Sequence, residues 1–412
     1  MKIALTHKQW DLRGGAEWVL YHTARGLRER GHEVHLFCQV FRSPPPPGVI
    51  AHRVPGVSRP RTARLLIFNF LAPKFIAKYD CDVVMSFDRM MSQDVFRSGG
   101  GPHKVFIEKM VRHGGLWRKL WYRVHPYHRL ALFIEKRQVS SSGSRKIIAL
   151  CKQVKQEFID AYGVPEEKIT VVYNGVDNER FHPRRRPDAR KTVRAELGIP
   201  PDSPIVLFVG SGFRRKGLDR LLRLWRNDEM PGIYLVIVGN DANLSAYQKQ
   251  YAYRPDIIFT GPRSDVEDFY GAADLLVLVS VQEGFGNVVL EAFAAGLPVV
   301  LVAGVGAAEV VEGDLQQGIV NNPDDPIELK NKILRMLDPV RWEILSCKAR
   351  QIAEKYTWSA YLDGVEKALS EYGERSARLP LAKKPKSMIG NWLRRLARIG
   401  LSPLFVTIWR WL

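Results

Sequence analysis

Cysteine is scarce in this chain. Four occur in 412 residues (Cys38, Cys81, Cys151 and Cys347), far apart and without metal-ligand spacing. That excludes a disulfide-stapled fold and fits a reducing compartment. Long apolar runs are missing too, so no conventional transmembrane helix is expected. The opening MKIALTH runs straight into polar WDLRGG, and no signal peptide is expected from it. Acidic residues are the third shortage, with 43 Asp and Glu against 62 Lys and Arg. The imbalance is uneven: residues 1–180 carry +14, residues 181–373 carry −3 and residues 374–412 carry +8. Two basic parts around a near-neutral one point to an anionic partner, nucleic acid or a phospholipid surface.

What is present is an ordinary globular composition, 46% hydrophobic and 25% charged, long enough for two or three domains. Short apolar runs alternate with helical stretches. Lys2–Thr6, Glu33–Cys38, Asp82–Ser86, Lys146–Leu150 and Ile169–Val172 read as strands. Between the first two, Ala16–Arg30 reads as a helix with Gly31 as its stop. After a linker-like stretch from Phe181 to Pro187, a second series follows: Ile205–Val209, Tyr234–Val238, Ile257–Thr260, Leu275–Val279 and Pro298–Val302. The alternation predicts an α/β protein of two tandem units, 1–183 and 188–357, each a parallel sheet covered on both faces. A last helix over 358–373 and a basic tail over 374–412 complete the chain.

The sharpest motif is Glu283-Gly284-Phe285-Gly286-Asn287, running through a helix to Glu291 and on to Gly296 and Pro298. Two glutamates lie eight residues apart around a glycine-rich helix entrance. Such an entrance offers free N–H groups and a partial positive charge to a diphosphate. A glutamate one turn inside can accept both hydroxyls of a ribose diol. A surface helix with two solvated carboxylates fits the same residues. Upstream, Val209-Gly210-Ser211 leads through Arg214, Arg215 and Lys216 to Gly217. Cations at the C-terminal end of a strand suit a phosphate clamp. The turn Asn174-Gly175-Val176-Asp177 closes the first unit.

Together these motifs resemble the family 4 glycosyltransferases of GT-B fold, over about residues 1–373. The resemblance implies two Rossmann-like domains across a cleft. The donor, a nucleotide diphosphate sugar, lies on the second domain and the acceptor on the first, and the last helix crosses back. It assigns Glu291 to the ribose, Glu283 to the donor sugar, and Arg215 and Lys216 to the leaving diphosphate. Gly284, Phe285, Gly286 and Asn287 form the donor loop, and Gly14 and Gly15 close on the phosphates from the other domain. Ser211 stands where many members carry Arg. Members of this type retain anomeric configuration, and no metal or other cofactor is expected. The metal-like pattern Asp80-Cys81-Asp82 opens a strand far along the chain from the donor loop and reads as structural.

Between Ser86 and His103 a strand, a loop and a glycine triplet are expected. This stretch resembles the branch acting on the lipopolysaccharide inner core, which makes Asp94 and His103 candidates for acceptor-side chemistry. A turn or helix cap for Asp94 and a loop role for His103 remain open. By resemblance alone the donor is UDP-glucose and the acceptor a heptose.

Residues 104–137 interleave nine Lys and Arg with Phe106, Trp117, Trp121, Tyr122, Tyr127 and Phe133. They fit a nucleic-acid clamp, an anionic membrane surface, or helices with a merely solvated basic side. In the tail, Ile389, Trp392, Leu393, Leu396 and Ile399 share one helical face, opposite Arg394, Arg395 and Arg398. That favours an interfacial anchor over nucleic acid; packing on the protein itself or a partner is the other option. The expectation is a peripheral enzyme on the cytoplasmic face of the inner membrane, working on a lipid-anchored glycan. Other lipid-linked acceptors stay open. A non-catalytic binder remains the reading from another class. A dehydrogenase is disfavoured because DLRGGAE lacks the G-x-G-x-x-G spacing.

Overall fold

The computed structural model describes residues 1–373 apart from Arg13, Gly14, Ser58, His113 and Gly114. Gly14 and the anchor expected over 380–412 therefore lie outside the described residues.

The first sheet contains β1 (Lys2–Trp10), β2 (Glu33–Phe41), β3 (Ile50–Arg53), β4 (Val83–Ser86), β5 (Val95–Arg97), β6 (Lys146–Ala149) and β7 (Ile169–Val171). Their order is β3-β2-β1-β4-β5-β6-β7, and every pairing is parallel. The second sheet contains β8 (Ile205–Val209), β9 (Tyr234–Val238), β10 (Ile257–Gly261), β11 (Leu275–Leu278), β12 (Val299–Val302) and β13 (Ile319–Val320). It is ordered β10-β9-β8-β11-β12-β13, again wholly parallel. Strands of this kind are buried on both faces, which is why IVLFV and LLVL are continuous apolar runs instead of alternating ones. Both sheets reverse direction beside their first strand, between β1 and β4 and between β8 and β11. Ligands of open α/β sheets collect at that switch.

Three strands go beyond the sequence expectation. β3 is short and mostly exposed, β13 has two residues, and β5 lies in the stretch expected to be loop. β1 runs past Thr6 to Trp10 because polar His7 and Gln9, and Trp10 itself, stay in register with β2. Residues 181–187, read as a linker, form a turn over Pro183–Arg185 that passes directly into helix Arg186–Leu197. Arg186, Arg190 and Arg194 of that helix converge on Asp274, at the foot of β11, at 2.6–2.8 Å.

Helix Trp358–Gly373 returns to the first sheet's side. Its Leu362 packs on Gly26, where a β-carbon would come within 2.2 Å of the leucine. The hydroxyls of Tyr361 and Thr23 meet at 2.9 Å. Arg30 bonds Asp363 and Glu366 from the same side.

Candidate active site

The donor motifs emerge from β8 and β11, the two strands that flank the second switch. After β8 the chain turns through Gly210 and Gly212, the latter at φ +77°, and forms the single turn Phe213–Lys216. The Asp241 carboxylate accepts the Phe213 N–H at 2.8 Å. Gly217 must be glycine: its φ is +82° and a β-carbon would lie 2.0 Å from the Val279 carbonyl. That contact presses the cationic turn against the segment following β11. Gly286, at φ +95°, caps helix Asn287–Ala294, and no side chain caps its N-terminus. The entrance predicted from the sequence is therefore formed.

The two loops meet at Glu283. Its Oε2 pairs with Lys216 Nζ and lies 3.6 Å from Arg215 Nη1. Lys216 is buried, whereas Arg215 is half-exposed and also donates to the Gln282 carbonyl at 3.2 Å. Glu291 lies one turn inside the helix, as expected. The buried Tyr270 hydroxyl donates to its Oε2 at 2.6 Å. Loss of hydration pushes the Glu291 carboxyl up, and the Tyr270 bond, Arg180 and Lys216 pull the other way. Tyr270 sits in helix Val266–Ala272 without any motif to mark it.

The first sheet presents its C-terminal edge to these loops. Gly284 lies against Gly99 and Gly100, backbone on backbone. Cys151 donates from Sγ to the Gly284 carbonyl at 3.6 Å. Glu309 accepts the first two N–H groups of helix Lys152–Tyr162, from Lys152 at 2.8 Å and Gln153 at 2.6 Å. A carboxylate there favours the helix dipole. Gly15 reaches Asn287, with 3.9 Å from its β-carbon position to Asn287 Nδ2. Asn287 Oδ1 accepts from Asn174 at 2.7 Å, and Asn174 Oδ1 accepts from the buried guanidinium of Arg97 at 2.6 Å. The sequence places Asn174 in the turn that closes the first unit and Arg97 in the stretch between Ser86 and His103, and marks neither as a site residue. A charged residue ending a short apolar run beside a glycine triplet was the available signal.

The acceptor-side candidates separate. His103 begins helix His103–Arg112 and is buried. Its N–H donates to Glu135 Oε2 at 2.6 Å, and its Nε2 lies 2.9 Å from His128 Nδ1. Burial pushes the imidazole down to about 3, helped by Arg89, His128 and Lys8, so it is neutral at physiological pH. Asp94 is not brought to this edge. It precedes β5, at the opposite end of the strands, and its carboxylate accepts the Val84 N–H at 2.9 Å. Asp82 does the same for Lys2 at 2.7 Å, so the Asp80–Asp82 pair also sits away from the donor loops. Asp88, which the sequence did not single out, follows β4 at the right end. Burial opposes its charge, but Lys8 Nζ at 2.6 Å, the Lys8 N–H and His7 hold the carboxyl well below its usual range.

Two Rossmann-like sheets meeting at their C-terminal edges, with a cationic turn and an uncapped helix entrance at the second switch, define a GT-B architecture. The comparisons agree. Residues 13–180 match the model described as Glycosyltransferase Family 4, and residues 189–355 match Glycosyl transferases group 1. The chain is a GT-B glycosyltransferase assembled from these two domains. It is 27% identical to the lipopolysaccharide glucosyltransferase WaaG of Escherichia coli over 329 residues, 78% of this chain and 85% of that one. It is also 27% identical to the uncharacterized glycosyltransferase MJ1607 of Methanocaldococcus jannaschii over 383 residues, 87% and 95% of the two chains. Among solved structures, that of WaaG superposes with a TM-score of 0.75 at 23% identity, covering 89% of this chain and 98% of that one. Anabaena Alr3699/HepE in complex with UDP and glucose gives 0.69 at 19% identity, covering 90% and 99%.

Proposed function

We propose that this glycosyltransferase moves glucose from UDP-glucose, with retention, to a heptose of the lipopolysaccharide inner core. The observation that carries the reading is the convergence of Lys216, Arg215 and Glu283 beside the helix entrance at Asn287. A diphosphate entering there takes Lys216 and Arg215 as partners and leaves Glu283 to the sugar hydroxyls. Glu291, steadied through Oε2 by Tyr270, offers Oε1 to the ribose. The bond from the anomeric carbon to the diphosphate breaks and the acceptor oxygen bonds that carbon on the same face. The acceptor proton passes to the departing phosphate oxygen. Stabilising that departing charge is the main electrostatic task, and no residue has to serve as a nucleophile. His103, neutral and engaged by His128, shapes the acceptor side; Asp94 has no part in this reading.

The similarity to WaaG supports the donor and acceptor classes. A membrane seat is supported by helix Gly115–Val124, where Trp117, Leu120, Trp121 and Val124 are exposed beside Lys119 and Arg123. Such a helix suits an anionic interface. No helix among the described residues is long and apolar enough to cross a membrane. The 380–412 segment is proposed as a second anchor on its sequence alone.

The test is release of nucleoside diphosphate from a panel of sugar nucleotides, with and without rough-type lipopolysaccharide. UDP-glucose with acceptor should give the fastest release. Turnover with another donor, or indifference to lipopolysaccharide, overturns the assignment.

A further inference from the structure

The C-terminal ends of β1 and β2 and the start of helix Arg61–Ile76 enclose an open cavity of about 720 Å³. It is lined by Gln9, Arg42, Arg59, Pro60, Arg61 and Arg64. Four guanidinium groups therefore face one concavity, and no carboxylate lines it. Asp11 pairs with Arg42 at 3.3 Å and accepts from Gln9 Nε2 at 3.2 Å. Arg59, Arg61 and Arg64 form no ion pair among the described residues. Arg64 meets Gln9 Oε1 at 3.5 Å through Nη1, and its Nε is buried without a partner.

The helix itself makes the charge pattern harder to explain without a ligand. Its N-cap is Pro60, which supplies no side-chain hydrogen bond, and its first turn holds no acid. The positive end of a helix dipole favours anions, yet Arg61 and Arg64 occupy that turn. Like charges are gathered at a place where the backbone already repels them. A bound anion reverses the sign of every one of these terms. Guanidinium groups match phosphate oxygens in pairs, and free helix N–H groups add further donors. The volume lies in the range of small-molecule sites, well above what a lone ion needs.

We propose that this arginine-lined cavity binds a phosphate group, and that during transfer the phosphate belongs to the acceptor. The second half rests on the glycosyltransferase reading above; the first does not. The donor's diphosphate has its own loops on the other sheet. The cavity opens at the same strand edge as the cleft, on β1, whose following segment reaches Asn287 through Gly15. An acceptor gripped there is held on the side from which its sugar must approach.

Inorganic phosphate is titrated by calorimetry into the full-length protein saturated with UDP, so that the donor loops are filled. The wild type should bind phosphate, and R59Q/R61Q should bind it roughly tenfold or more weakly. Because the variant relieves repulsion at the helix end, its unfolding temperature without phosphate should match or exceed the wild-type value. The rise that phosphate gives the wild type should disappear. No binding to the wild type, or equal binding to the variant, overturns the site. Transfer is then measured on rough-type lipopolysaccharide before and after phosphatase treatment. If the acceptor supplies the phosphate, dephosphorylation and R59Q/R61Q each raise the acceptor KM, and together they raise it no further. Phosphate binding with an acceptor KM indifferent to both changes makes free phosphate the ligand and overturns the second half. UDP affinity of the wild type, read in the same samples, reports separately on the glycosyltransferase reading.

Discussion

Gly284 of the donor loop lies so close to Gly100 of the first domain that a β-carbon on Gly284 would fall 2.5 Å from the Gly100 Cα. The reverse is not true. A β-carbon on Gly100 would stand 3.8 Å from the Gly284 Cα, an ordinary contact. The loop that carries Glu283 can therefore meet the first domain only while residue 284 has no side chain. G284A should push the two edges apart and cost roughly a hundredfold in transfer, the scale of an ångström of misplacement at a reacting centre. G100A should stay within about threefold of wild type, since ordinary contact asks for no displacement. Steady-state transfer by the two variants decides; equal loss in both would remove the asymmetry from the explanation.

Lys216 and Glu283 invite a separation of stability from activity. Both are largely shielded from water and joined to each other. Removing one partner leaves a poorly hydrated charge, which typically costs about 3–5 kcal/mol when the pair is fully buried. K216M should therefore lower the unfolding temperature, and K216M/E283Q should recover much of the loss. Transfer should not recover. Each single change should reduce it by roughly two to four decades, as expected for a contact that strengthens in the transition state. A double variant that regains activity along with stability would show the pair to be structural.

Tyr270 holds Glu291 by one hydrogen bond, and burial already favours the protonated acid. Y270F removes a donor that stabilises the carboxylate. UDP affinity should fall roughly tenfold, the scale of a hydrogen bond to a charged group. The acid limb of its pH profile should move to higher pH, because the raised carboxyl rises further. The sign follows directly: the ribose needs a carboxylate acceptor, so binding weakens as the proton arrives. UDP titrations from pH 5 to 8 would reveal either that shift or a uniform loss, and a uniform loss would confine Tyr270 to packing.

Much of this was open to reading from residues alone. Continuous apolar runs and glycine punctuation marked most of the strands of both sheets, and the paired glutamates marked the donor entrance. What stayed hidden depends on long-range pairing. β5 is three residues flanked by Asp94 and Ser98, too short for any periodicity, yet it stands mid-sheet and delivers Arg97 to Asn174. Asp94 and Asp88 lie six residues apart and look alike in sequence. Only the register of β4 against β5 sends the first to the foot of the sheet and the second to the ligand edge. Tyr270 is similar: its hydroxyl matters because it reaches from helix Val266–Ala272 to Glu291 of helix Asn287–Ala294, and no local pattern records that.

The buried imidazole of His103 and the half-buried one of His22 give the last expectation its sign. Burial lowers His103 to about 3 and His22 to about 4, from an ordinary value of 6.5. Both are neutral in the folded chain wherever the unfolded chain begins to take up protons. Between about pH 6.5 and 4 the unfolded state binds more protons, so stability must fall as the solution is acidified. Each such group contributes up to about 1.4 kcal/mol per pH unit in that window. His22 is stacked on Trp358 of the returning helix at 4.1 Å, so the cost of charging it in a desolvated place falls at the crossover contact. His103 follows, one residue on, the glycine triplet that meets Gly284. Denaturant unfolding at pH 7.5, 6 and 5 should show a steeper loss for the wild type than for H103Q, with H22F flattening the curve independently. The two sites face different helices, so their effects should add. Parallel curves for the wild type and H103Q would place the acid-sensitive protonation elsewhere and remove the argument that His103 is held neutral.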